Sequence, residues 1–200
     1  SYSPSVIIEA IAIRENDKIE RLTERVRDVI KIDEERIREL KCAASLAHHG
    51  LLGSVDRLRL CNDLSQVPAQ HLASLASCVT GYLSFLSIKN GSGGQHIISL
   101  LASLKCEVLI IKKQSLGREE TRALVQAMET NVKDVVLELD NGVTLDIGAL
   151  TEYSGQGACR KVGLWNDIGD RYREDLRTWA RSRNWKVAVD NDRMLFVKKI

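Results

Sequence analysis

LRLCN at 58–62, LSIKN at 86–90, LIIKK at 109–113, LELDN at 137–141, VGLWN at 162–166 and VAVDN at 187–191 are six versions of one short apolar phrase. Their closing residues, Asn62, Asn90, Lys113, Asn141, Asn166 and Asn191, stand 28, 23, 28, 25 and 25 residues apart. A recurrence in the twenties, each time a strand phrase, a polar turn and a helical segment, is the pattern of a solenoid. One such unit cannot bury its own apolar face and must stack on a neighbour.

The segments between the phrases read as helices. Leu72, Leu75 and Ala76, then Ile97, Leu100, Leu101 and Leu104, then Ala123, Leu124, Ala127 and Met128 recur at three- and four-residue spacings that put each set on one helix face. Ile147, Leu150 and Tyr153 form a weaker set before the loop Gly155-Gln156-Gly157, and Tyr172, Leu176, Trp179 and Ala180 form the last. Residues 37–49 carry a small-residue face (Leu40, Ala43, Ala44, Leu46, Ala47) closed by Gly50 and Gly53. This is the expected first helix of the array, shielding its open end. After Trp185, two β-prone runs around Asn191-Asp192 predict a terminal hairpin over the last strand edge.

Residues 6–40 contain no Gly or Pro and are rich in Glu, Arg, Lys, Ile and Leu, which predicts a long helix. Ile19, Leu22, Val26 and Val29 follow a 3-4-3 spacing, short of the three to four heptads of a sustained coiled coil. Two readings stay open for this segment: self-association through residues 5–40, or an amphipathic helix lying on the body. The domain division expected is a helical segment over 1–40 and a repeat domain over 41–200.

With 29 basic and 27 acidic residues the chain has no field that argues for nucleic acid or an anionic membrane. Its five cysteines are odd in number and sit mostly in apolar phrases, so a reducing compartment and free thiols are expected. No apolar run reaches membrane-spanning length, and the first thirty residues lack a signal pattern, so the expected location is the cytoplasm. The start on Ser1 reads as that of a fragment.

VDRLRL at 55–60, LSFLSI at 83–88, CEVLII at 106–111 and CRKVGL at 159–164 resemble the first half of the leucine-rich repeat consensus, LxxLxLxx(N/C)xL. The helical second half and the period near 26 are most similar to the intracellular, ribonuclease-inhibitor-like subtype, also found in the repeat tails of nucleotide-binding innate-immune receptors. The resemblance covers roughly 40–191. It implies about six parallel strands on a concave face, helices on the convex face, and a role in protein binding, with innate sensing as one setting. The chain departs from the consensus at its asparagine: that position is held by Asp63, Gly91, Gln114, Gly142, Asp167 and Asp192. The rival fold is an open doubly wound α/β sheet. Its strands, covered on both faces, should be continuously apolar, whereas four of these phrases alternate with Arg, Ser, Lys or Glu.

Chemistry-bearing residues form no catalytic set. Gly91-Ser92-Gly93-Gly94 lacks the Lys-Ser/Thr of a phosphate loop. His48 and His49 have no Cys or acidic residue at a zinc spacing, and Cys61 has no activating base. No metal and no cofactor are expected. The reading is a non-enzymatic protein-binding module, with a self-associating scaffold as the alternative and an α/β enzyme or nucleotide binder third. Strand alternation assigns Arg59, Phe85, Lys89, Ile110, Lys112, Glu138, Asp140, Trp165 and Lys186 to the partner-binding concave face.

Overall fold

A computed structural model describes residues 30–33, 37–61, 64–86, 94–112, 114–139, 143–165, 170–190 and 193–200. Strands β1 (Ile30–Asp33), β2 (Val55–Cys61), β3 (Val79–Leu86), β4 (Val108–Lys112), β5 (Asp134–Glu138), β6 (Lys161–Trp165), β7 (Trp185–Asp190) and β8 (Arg193–Lys198) form one sheet. Helices α1 (Ile37–His48), α2 (Ala69–Ser77), α3 (Gly94–Ala102), α4 (Arg118–Thr130), α5 (Ile147–Leu150) and α6 (Asp170–Ser182) connect them. The strand order is β1-β2-β3-β4-β5-β6-β8-β7, not closed into a barrel, with β1 to β6 parallel and the β7–β8 hairpin antiparallel. Parallel neighbours require a crossover, and every crossover here holds a helix. From β1 to β6 each strand lies beside its predecessor, and successive helices touch in chain order, so the helices form one layer on one side of the sheet.

Between the two layers lies the core. Leu58 and Leu60 on β2, Leu109 and Ile111 on β4, Val135 and Leu137 on β5, and Val162 and Leu164 on β6 are buried against Leu72, Leu75, Ile97, Leu100, Leu101, Leu124, Met128 and Leu176 of the helices. Each such side chain contributes about 1.5–3 kcal/mol on full burial between the sheet and the helices. Helix α1 ends as its glycine requires. Gly50 has φ +72, its N–H donates to Ala47 O at 3.1 Å, and Leu51 N–H donates to Leu46 O at 2.9 Å. This paired pattern satisfies the last carbonyls of a helix.

The pairing register evens out the repeat. Leu58, Leu83, Leu109, Val135 and Val162 align across five strands, at steps of 25, 26, 26 and 27 residues. The turn asparagines give a less even count because they follow the loops, whereas register follows which side chains the core accepts. In β3, Leu83 pairs with Leu58 and Phe85 with Leu60, three residues earlier than the spacing of the phrases places them. One extra residue enters β3 as a bulge between the pairs Val55↔Val79 and Arg57↔Tyr82. Gly81 lies there, where a Cβ would stand 2.6 Å from Asp56 O.

Three expectations are corrected. Ile30–Asp33 is a strand rather than part of a helix over 6–40: its β-branched alternation pairs with Leu58 to Cys61 of β2. Residue 40 lies inside α1, which packs on α2 and β1. The sixth parallel strand is β1, and the last phrase, on β7, is instead the antiparallel edge, where Val189 is 42% exposed for want of a neighbour. Tyr172, placed in the last helix's core set, is 43% exposed because α5 beside it is only four residues long. The helical reading of residues 5–29 lies outside the described residues.

At the hairpin end an aromatic cluster completes the core. Trp179 and Trp185 lie 5.2 Å apart between ring centroids, with Tyr153 at 6.0 Å from each and Phe196 at 6.2 Å from Trp179. Their polar atoms are satisfied: Trp179 Nε1 donates to Tyr153 O, Trp185 Nε1 to Gly155 O, and Tyr153 Oη to Cys159 O at 2.7 Å. Desolvation holds the Tyr153 hydroxyl well above its usual pKa.

Candidate functional site

The side of the sheet away from the helices presents three cross-strand rows. The middle row reads Arg59, Ser84, Ile110, Val136, Gly163, Leu195 and Ala188. On the row at the strands' C-terminal ends stand Lys112, Glu138, Trp165, Arg193 and Asp190. The third row reads Arg57, Tyr82, Val108, Asp134, Lys161, Val197 and Lys186. Strand alternation produces these rows, because the residues between the buried pairs must face the other way.

Two contacts organise the C-terminal row. Lys112 Nζ lies 3.8 Å from a Glu138 carboxylate oxygen, with both side chains only about a quarter exposed. Next to them the Arg193 guanidinium sits over the Trp165 ring, 4.7 Å from its centroid. The indole folds back along its own strand: a Cβ on Gly163 would meet Trp165 Nε1 at 3.3 Å and Val136 Cγ2 at 3.6 Å. Glycine inside a strand weakens it and marks a close approach, here that of the indole. Ile110 and Val136 are half-buried and Leu195 is 37% exposed, so an apolar strip runs beside the charged and aromatic row.

Lys112, Glu138 and Trp165 come together in one row with Ile110 beside them, while Arg59 stands two strands away on the middle row and Lys186 on the β7 edge. The backbone of Phe85 pairs in register with Leu60 on β2 and Ile111 on β4, and its side chain lies outside the described ones. Lys89 and Asp140 lie outside the described residues. Residues missed in the sequence are Val136, Gly163, Leu195 and Arg193. Strand alternation was the available signal for Val136 and Gly163, but Leu195 and the Arg193 contact depend on the hairpin register.

Other polar features belong to the scaffold. Gln114 is buried, and its Nε2 donates to Ser115 O at 2.9 Å. His71 of α2 stacks on His48 at 4.4 Å, with His49 edge-on to both. Among the described residues no group of three His, Cys, Asp or Glu side chains could hold a metal ion. Cys42, Cys78, Cys106 and Cys159 are unpaired, and burial pushes the Cys106 thiol up to about 11 and that of Cys159 up to about 12. Among the described residues no helix is long and apolar enough to cross a membrane. No protein-family profile, curated protein or solved structure matches the chain.

Proposed function

We propose that the chain is a non-enzymatic protein-binding module of the leucine-rich-repeat kind, holding its partner on the open face of the sheet. In support stand the in-order parallel strands, one helix per crossover in a single layer, and an alignment period near 26 residues. One observation carries the binding reading: the row Lys112, Glu138, Trp165 and Arg193, set beside the strip Ile110, Val136 and Leu195. A well-packed aromatic anchor beside aliphatic side chains and rimmed by charges is the anatomy of a protein interface, where truncating a central anchor costs about 2 kcal/mol or more. A photo-crosslinking residue at Leu195 on this face should capture protein partners from cell extract, whereas the same residue at the exposed Gln126 of α4 should not. Equal capture from both positions, or capture from Gln126 alone, refutes the reading.

A further inference from the structure

The charges on the open face select the occupant. Lys112 and Glu138 neutralise each other, and the Asp134 carboxylate lies 3.4 Å from Arg160 Nε. That leaves Arg59, Lys161, Lys186 and Arg193 without an ion pair among the described residues, against Asp190 alone. The chain as a whole is nearly balanced, at +2, so this excess is local to one face. Arg193 is also held in place: with the Trp165 ring against its guanidinium, the in-plane N–H groups remain to donate, and they match a carboxylate bidentately. Glu138 is kept from competing by Lys112.

We infer, building on the open-face reading above, that the partner presents an acidic, hydrophobic peptide segment, with a bulky apolar side chain on Ile110, Val136 and Leu195 and a carboxylate on Arg193. A nucleic acid would also be drawn by the cations, but it would leave the aliphatic strip idle. The ring it would stack on is already covered by Arg193.

A peptide-display selection on the immobilised full chain, followed by affinity measurements on Arg193→Ala, Arg193→Lys and Leu195→Asp, tests this. Selected peptides should place Asp or Glu beside Leu, Phe or Trp, bind more weakly as salt rises, and lose about tenfold or more in affinity with Arg193→Ala. Arg193→Lys should recover little, because an ammonium lacks the planar fork. Peptides that depend on Leu195 but carry no acidic residues and ignore Arg193→Ala overturn the acidic-segment inference and leave the open-face reading standing. Peptides indifferent to both Leu195→Asp and Arg193→Ala, or no binder at all, overturn both. Tighter, Arg193-dependent binding of a labelled oligouridylate than of any selected peptide overturns the inference in favour of RNA.

Discussion

Gly157→Ala and Gly148→Ala make the same chemical change nine residues apart and should have opposite effects. A Cβ on Gly157 would stand 2.5 Å from Glu129 Cα, 2.6 Å from its Oε2 and 2.7 Å from its carbonyl oxygen. The first and last of these are backbone, so the loop itself must move out by nearly an ångström. That loop is held to the C-terminal end of α4 by Ala158 N–H to Glu129 O at 3.0 Å and Cys159 N–H to Met128 O at 2.8 Å. Ser154 adds N–H and hydroxyl bonds to the Glu129 carboxylate at 2.7 and 2.8 Å. Overpacking costs about 1–3 kcal/mol and each hydrogen bond lost about 1 kcal/mol, giving roughly 3 kcal/mol in all. For a chain of this size that lowers the thermal midpoint by about 6–12 °C. At Gly148, inside α5, the nearest atom to an added Cβ is Asp146 Oδ1 at an ordinary 3.4 Å. There alanine gains up to about 1 kcal/mol of helix propensity, and the midpoint should hold or rise by about 2–4 °C. Thermal and urea unfolding of the two variants decide the matter. A Gly157→Ala midpoint within about 2 °C of the parent, or a larger loss at Gly148, refutes the packing of this loop.

Tyr153→Phe removes the buried hydroxyl and leaves the Cys159 carbonyl unpaired, which should cost about 1–3 kcal/mol by urea unfolding, while Tyr172→Phe at the exposed position should cost nothing measurable. Leu164→Ala should cost about 2–5 kcal/mol because Leu164 is fully buried. Trp165→Ala, one residue on and facing the other way, loses a cation–π contact of about 0.5–1 kcal/mol and part of its packing. Equal losses from the two would make Trp165 a core residue and remove the proposed anchor. The buried thiols predict an alkaline slope. In the folded chain Cys106 and Cys159 keep their protons up to about 11 and about 12, whereas an exposed thiol ionises near 9.0. Above that pH the unfolded state binds fewer protons than the folded one, so stability falls as pH rises from about 9 towards about 11. Melting in reducing buffer should show the fall, and a Cys106→Ala/Cys159→Ala variant should flatten it; an equal slope in both would refute the assignment.

Much of this architecture was legible in the residues. The strand phrases fall within or overlap β2 to β7, and Leu72, Ile97, Leu124 and Leu176 are buried as their spacing demands, Tyr172 of the last set being exposed. That legibility has a local cause: helical spacing and strand alternation are written in consecutive residues. Gly50 ended α1 for the same reason, since a left-handed backbone position is a property of one residue. What the sequence alone left undecided was register and neighbourhood. The turn asparagines moved the β3 phrase by three residues, because only pairing with β2 and β4 sets the register of β3. β1 was absorbed into a helical reading because four residues carry little periodicity of their own, and their alternation acquires meaning only beside Leu58 and Leu60. The candidate site divides along the same line. Trp165, Lys112 and Glu138 could be named from alternation, but Arg193 reaches Trp165 only because the hairpin brings β8, rather than β7, against β6. That choice rests on burial: Met194 and Phe196 of β8 are buried while the outer strand β7 leaves Val189 exposed, a difference no local pattern in the two runs encodes.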